Sequence, residues 1–440
     1  MIESTLFKAV DIVTKQQVLN GDVLIENGKI AAIGPSISAS AQEVITDSGL
    51  TLLPGVIDPH VHFRDPGATH KEDLASGSMA AAAGGVTSFF DMPNTNPATI
   101  SCESLDKKKQ HAANTSIVNY NFFIGATADN LQECIKAENI PGIKIYVGSS
   151  TGTLLVDQRD KLDAIFKQSP HLIAVHSEDE AMIQQKLQEY QGSTNVHDHQ
   201  YIRSAEGALK CTQMLTDLAI KHQQRLHICH LTTWQEVDWL KQLKKYPFIT
   251  NEVTPQHLWT FSPNIYDQWG TKAQINPPIR SKEHQQGLLK GLLEGVIDCM
   301  GSDHAPHLAS EKNQPFGQAP SGMPGVQTSL YTMLNAVNLG LFSLQQVVNW
   351  MCQAPARIYN IQNKGYIAEG YDADCVLVDL KAKTTMNQAI MASKAKWSVF
   401  EGQTFQGKPI ATFVNGNCVY REGDFFTQIK GLEVKLDSKL

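Results

Sequence analysis

The sequence of 440 residues has no apolar run long enough to cross a bilayer, and its first residues, MIESTLFKAVDIVTK, lack the pattern of a signal peptide. It also has no excess of basic residues. The 37 Lys and Arg against 44 Asp and Glu give a net charge of −7, which argues against binding to nucleic acid or to a membrane. The eight cysteines show no paired spacing, which is typical of reduced thiols. These absences predict a cytoplasmic enzyme with a small-molecule substrate.

Both ends of the chain resemble short strands joined by tight turns. GDVLIENGKIAAIG contains two β-branched runs around Asn27-Gly28, and ATFVNGNCVYREG repeats this pattern around Asn415-Gly416. Asn-Gly between two such runs is a strong hairpin signal. Because the termini of a domain often lie close together, we predict one small β-domain built from residues 1–52 and 361–440, with residues 53–360 forming a larger domain between them.

In the central part of the chain, apolar runs alternate with helical patterns. The runs are typical of buried strands and cover residues 142–147, 172–177, 225–231, 248–254 and 295–303. Repeated strand and helix units of this kind favour an α/β fold of the TIM-barrel type. Their spacing alone leaves a doubly wound open sheet as an alternative.

Two helices can be predicted in more detail. Ala208, Cys211, Leu215 and Leu218 are three, four and three residues apart, which is the spacing of one helix face. Thr69 and Glu72 have the spacing of a capping box, which predicts that a helix opens there.

Several predicted strands end in side chains that can bind a metal. In a TIM barrel the C-terminal ends of the strands line the active site, so these side chains should converge on one cavity. Two histidines at positions i and i+2 of an extended segment point to the same side and can share one ion. Any one of them alone is more often a hydrogen-bonded loop residue, but the joint pattern favours a metal centre. The residues are His60, His62, Lys144, His176, His230 and Asp303.

The segments around these residues resemble the motifs of dihydroorotases, a family of the amidohydrolase superfamily. DPHVHFRDPG (58–67) and GSDHAPHLASEK (301–312) look like its two signature motifs, and GIKIYVGSS, AVHSED, HICHLTT and INPPIR follow between them in the family's order. The resemblance covers nearly the whole chain. It implies a (β/α)8 barrel that carries a small β-sandwich formed from both termini.

The resemblance also implies a ligand set for two zinc ions. His60, His62 and Asp303 would hold the more buried ion, and His176 and His230 the second. Lys144 would bridge them as a carbamate, together with a hydroxide. Some bacterial relatives lack this lysine and use an aspartate a few residues later, where this chain has GSSTG (148–152). We therefore expect its site to depend on carbamylation of Lys144.

The implied activity is the reversible interconversion of N-carbamoyl-L-aspartate with L-dihydroorotate and water, a step of de novo pyrimidine (UMP) biosynthesis. Asp303 would act as the catalytic proton shuttle. Arg64, Asn94 and His307 match the family positions that bind the substrate carboxylate. Asn276 and Gly322 match those that contact the ring. The resemblance further implies a homodimer and raises aspartate transcarbamoylase as a possible partner.

Three alternatives remain at this stage. A dihydropyrimidinase or an allantoinase would have similar metal ligands, but their substrates carry no ring carboxylate, so Arg64 and the intact GSDHAPH favour dihydroorotase. An inactive, scaffolding subunit would be expected to have lost ligands, and all six are present. Arg64 itself has a purely structural alternative, which is a surface ion pair with Asp65.

Overall fold

The structure, a computed structural model, describes residues 4–46, 49–148 and 154–437. The strands are β1 (Ser4–Val13), β2 (Val18–Glu26), β3 (Lys29–Gly34), β4 (Glu43–Thr46), β5 (Thr51–Pro54), β6 (Val56–Val61), β7 (Val86–Asp91), β8 (Asn119–Phe122), β9 (Ile124–Gly125), β10 (Ile143–Tyr146), β11 (Ile173–His176), β12 (Leu226–Ile228), β13 (Ile249–Val253), β14 (Cys299–Met300), β15 (Cys375–Thr385), β16 (Thr404–Val414), β17 (Asn417–Arg421) and β18 (Asp424–Phe425).

The α-helices are α1 (Leu74–Ala83), α2 (Cys102–Thr115), α3 (Leu131–Lys136), α4 (Arg159–Gln168), α5 (Glu180–Glu189), α6 (His199–Ile202), α7 (Ala205–His222), α8 (Trp234–Gln242), α9 (Pro255–Trp259), α10 (Asn264–Trp269), α11 (Lys282–Leu293), α12 (Ala309–Lys312), α13 (Ser329–Asn338), α14 (Leu344–Val348) and α15 (Ala354–Ile358). Among the described residues, none of these helices has the length and apolar character needed to cross a membrane.

Strands from both ends of the chain form one nine-stranded sheet. Its order is β18-β17-β16-β15-β5-β1-β2-β3, with β4 paired to β1. The predicted hairpins are confirmed, because Asn27-Gly28 joins β2 to β3 and Asn415-Gly416 joins β16 to β17. All four turn residues have positive φ, as a two-residue type I′ turn requires. The domain boundaries at residues 52 and 360 remain a prediction.

The strands from β6 to β14 form the barrel. They pair in parallel in the order β6-β7-β8 and β9-β10-β11-β12-β13-β14, and β8 and β9 are separated only by Phe123. A parallel bridge between Val61 and His304 brings the segment after β14 back to β6, so the barrel closes. The TIM-type barrel is therefore confirmed and the doubly wound alternative is wrong.

The barrel strands and the surrounding helices share one apolar core. The predicted stripe on α7 is confirmed, since Ala208, Cys211, Leu215 and Leu218 are all buried in that helix. A fully buried leucine contributes about 1.5–3 kcal/mol to folding, so this face holds α7 on the sheet. Because the helices cover the outside of the barrel, polar side chains at the strand ends are left to face its C-terminal opening.

The predicted start of α1 is wrong. The helix begins at Leu74, and Asp73 is its N-cap, forming a reciprocal capping box with Ser76. Glu72 is instead fully buried, and its carboxylate accepts hydrogen bonds from the hydroxyls of Ser76 and Ser393. Glu72 therefore forms a tertiary contact with the distant Ser393 instead of the helix cap that the local spacing predicted.

Candidate active site

A cavity of about 640 Å³ opens at the C-terminal ends of the barrel strands. All the residues proposed above as metal ligands or substrate contacts contribute to its lining. They are His60, His62, Arg64, Asn94, Lys144, His176, His230, Asn276, Asp303, His307 and Gly322. The barrel brings them together because each lies at, or shortly after, the end of a strand or in a loop that follows one.

Three donor groups converge on one point of this cavity. The Nε2 atoms of His60 and His62 are 3.3 Å apart. Oδ1 of Asp303 lies 3.4 Å from Nε2 of His60 and 3.0 Å from Nε2 of His62. All three side chains are buried, and the group can hold one metal ion.

A second group lies beside the first. Nδ1 of His176 is 3.0 Å from Nε2 of His230, and the other ring nitrogen of His230 is buried without a partner among the described residues. Lys144 is fully buried, and its Nζ contacts the Cys229 sulfur at 3.0 Å. It forms no salt bridge within the described part of the chain.

The outward-facing nitrogen of each of three histidines is held by an oxygen acceptor. Nδ1 of His60 lies 2.5 Å from Oε1 of Glu252, and Nε2 of His176 lies 2.7 Å from Oε2 of Glu178. Nδ1 of His62 lies 2.6 Å from Oδ1 of Asn94. Donation to these oxygens leaves the opposite nitrogen of each ring unprotonated and directed into the cavity, which is the arrangement found around bound metals.

The protonation states suit metal binding as well. Burial lowers the pKa of His60, of His176 and of His230, so these imidazoles are neutral, the form that ligates a metal. Neutral imidazoles around a carboxylate and a buried amine fit a metal centre.

Three of the site residues have backbone conformations that ordinary residues rarely adopt. The φ angles are +62° at Arg64, +34° at His230 and +46° at Asp303. Non-glycine residues in the left-handed region cost free energy and persist where the surrounding structure fixes them, often at functional sites. Here the unusual backbone lies where the chain leaves the barrel strands and directs these side chains to the cavity.

Arg64 lies on the wall of the cavity beside His307. Its Nε donates to the Pro306 carbonyl at 3.2 Å, and one terminal nitrogen is 3.1 Å from Nε2 of His307. No carboxylate of the described residues forms a salt bridge with it. The alternative pairing with Asp65 is wrong, because Asp65 instead contacts His111 and the backbone amide of Leu74.

Asn276 and Gly322 lie on the same side of the cavity. Oδ1 of Asn276 is buried and has no hydrogen-bond partner among the described residues. Gly322 has a φ of +135°, and a Cβ there would come within 2.5 Å of the Ala305 carbonyl oxygen. Only glycine fits this turn, which leaves its backbone exposed to the cavity.

Several residues of the site were missed by sequence reasoning. Glu252 and Glu178 hold two of the histidines, Cys229 contacts Lys144, and Lys71 contacts His307. Glu178 lies two residues after His176 and could have been suspected from that spacing. The GSSTG segment, except Gly148, lies outside the described residues, as do the two serines that end GIKIYVGSS.

Comparisons with known proteins define the class. A model of the amidohydrolase family matches residues 51–419, and the chain belongs to this family and is a hydrolase. A protein named dihydroorotase from Methanosarcina acetivorans is 35% identical over 395 residues, which cover 87% of this chain and 84% of that one. One of the same name from Listeria innocua is 34% identical over 419 residues, covering 92% and 96%.

A solved structure agrees with this assignment. The L-hydantoinase (dihydropyrimidinase) from Arthrobacter aurescens is 28% identical and superposes with a TM-score of 0.94, covering 99% of this chain and 100% of that one. The protein is therefore a cyclic amidohydrolase with a TIM-type barrel, and the dihydroorotases are among its relatives.

Proposed function

We propose that the protein is a dihydroorotase, which interconverts N-carbamoyl-L-aspartate with L-dihydroorotate and water. The observation that carries this proposal is Arg64. A guanidinium on the cavity wall that forms no salt bridge with any described carboxylate suits a substrate that brings its own carboxylate. Dihydroorotate has such a group, and the neutral rings of dihydrouracil and hydantoin do not.

The cavity suits two zinc ions. His60, His62 and Asp303 would hold one ion, and His176 and His230 the other. Lys144 would join them as a carbamate, because its amine is buried and forms no salt bridge with a carboxylate of the described residues. When bound, the ions would lower the pKa of water and polarise the ring carbonyl of the substrate.

The protein's own residues would then handle the proton and the substrate. In the hydrolytic direction, Asp303 accepts the proton of the attacking water and returns it to the leaving ring nitrogen, so that it serves first as base and then as acid. Arg64, His307 and the Asn94 amide bind the substrate carboxylate. Asn276 and the backbone at Gly322 hold the ring. In the biosynthetic direction the same proton transfers run in reverse order.

The decisive experiment compares substrates. Purified zinc-loaded protein is assayed for ring opening of L-dihydroorotate, dihydrouracil, hydantoin and allantoin, and for cyclisation of carbamoyl aspartate. Turnover confined to the dihydroorotate pair supports the proposal. Preference for a neutral ring would still indicate a cyclic amidohydrolase, but it would contradict dihydroorotate as the substrate. Absence of turnover with both metals bound would favour the scaffolding alternative.

Arg64→Met is expected to raise the KM for dihydroorotate about 10- to 100-fold, because hydrogen bonds to charged groups are worth about 1.5–3 kcal/mol. Zinc content should not change, since Arg64 holds no metal. Arg421→Met is a matched control, as Arg421 pairs with Glu43 in the nine-stranded sheet. An unchanged KM in Arg64→Met would remove this residue from carboxylate recognition.

Glu252→Gln is expected to weaken zinc binding about 10- to 100-fold, because a neutral amide orients the His60 ring less strongly than a carboxylate does. The measurement is a zinc titration against a competing chelator. Glu103→Gln, which alters an exposed pair with Lys107, serves as the control. Equal zinc affinity in Glu252→Gln and the wild type would show that Glu252 has only a structural role.

The other implied properties remain predictions from the resemblance. These are a cytoplasmic location, a homodimer and association with aspartate transcarbamoylase.

A further inference from the structure

A lysine that the proposed mechanism does not use lies in the wall of the cavity. Nζ of Lys71 is 3.1 Å from Nδ1 of His307 and 3.1 Å from Oε1 of Glu311. The second oxygen of Glu311 accepts the backbone amide of Leu308 at 2.9 Å, which fixes this carboxylate. Glu311 therefore holds Lys71 against the imidazole, although the lysine side chain is 18% exposed.

This contact and the Ser321 carbonyl together decide which nitrogen of His307 carries the proton. A lysine ammonium has donors and no acceptor, so the nitrogen that faces it, Nδ1, must be the acceptor. Nε2 then carries the hydrogen and donates to the Ser321 carbonyl at 3.0 Å. The carboxylate of Glu311 is 3.8 Å from Nδ1, too far to accept a proton from it.

Arg64 is affected by the protonation of Nε2. Its terminal nitrogen lies 3.1 Å from Nε2 of His307, but a protonated Nε2 cannot accept a hydrogen bond. The guanidinium hydrogen on this side therefore has no acceptor in His307. With the opposite tautomer, Nε2 would accept from Arg64, and the arginine would bind its own neighbour.

We propose that Lys71 is a positioning residue for substrate recognition, which fixes His307 as the Nε2–H tautomer, so that His307 does not accept from Arg64 and the guanidinium can donate to an anionic group. This inference rests on the proposed function in one respect, which is that the anion is the carboxylate of dihydroorotate. The tautomer itself follows from the contacts of His307 alone.

The surroundings of His307 agree with a single proton on its ring. Burial, followed by the positive charges of Arg64 and Lys71, lowers the pKa of His307 to about 2, so the doubly protonated form is absent at neutral pH. Lys312 adds a further cation, and Glu311 is the carboxylate that faces the ring. The indole of Trp397 donates to the His307 carbonyl at 2.8 Å and holds the backbone in place.

The tautomer can be measured directly. Protein with ¹⁵N-labelled histidine is studied by NMR, with His307→Gln used to assign the resonances. We expect a protonated Nε2 in the wild type and in Lys71→Arg, which keeps a cationic donor, and a protonated Nδ1 in Lys71→Met. Lys107→Met, at an exposed pair, is the matched control. The same tautomer in Lys71→Met and the wild type would overturn the inference.

Kinetics test the consequence for binding. Lys71→Met should raise the KM for dihydroorotate about tenfold with little change in kcat or zinc content, and Lys71→Arg should restore it. An unchanged KM, or an equal loss in kcat, would overturn the role in recognition. If the wild type does not act on dihydroorotate, the proposed function fails, while the NMR comparison still decides whether Lys71 sets the tautomer of His307.

Discussion

Asp303→Ala is expected to fold normally and to lose nearly all turnover. Transfer of a proton by a positioned side chain contributes about 10²- to 10⁴-fold to a rate, so kcat should fall by at least this factor. The loss of a donor beside His60 and His62 should also lower zinc content. The measurement combines the rate of dihydroorotate ring opening with circular dichroism and metal analysis.

Two further variants separate these effects. Asp303→Asn keeps the size of the side chain and one oxygen but cannot carry the proton, so it should lose turnover while retaining more zinc than Asp303→Ala. Asp163→Ala removes a carboxylate that pairs with Lys221 and His222 on the surface, and it should leave the rate unchanged. Substantial turnover in Asp303→Asn would exclude Asp303 as the proton shuttle.

Lys144→Ala is expected to lose both bound metal and activity. Even partners outside the ligand shell change metal affinity about 10- to 100-fold, so loss of a bridging ligand should lower activity by more than about 100-fold. Formate, acetate or propionate should restore part of it, because the vacated space accepts a carboxylate in place of the carbamate. The measurement is the rate and the zinc content, with and without the added acid.

Lys144→Arg is the matched control for this rescue. Arginine fills the space of the lysine side chain but forms no carbamate, so short carboxylates should have no effect on it. Full activity of Lys144→Ala without added carboxylate would exclude the bridging role.

Local patterns were sufficient to predict much of this protein. The Asn-Gly turns are hairpins because their sequence tolerates positive φ, and the α7 stripe is buried because its spacing matches the helix period. The proposed ligands meet in one cavity because a parallel barrel places all the C-terminal strand ends on one face. Strand position along the chain was therefore enough to group residues as distant as His60 and Asp303.

What the sequence by itself determined was the family and the candidate ligand set, since both follow from short motifs, and the resemblance to that family predicted the barrel. Only the tertiary structure decided which groups orient the side chains of the site. Glu252 contacts His60 across 192 residues of the chain, and Lys71 contacts His307 across 236. Ser393 donates a hydrogen bond to Glu72 across 321 residues, in place of the predicted helix cap. Such pairs depend on the angle at which distant elements pack, and no local spacing encodes that angle.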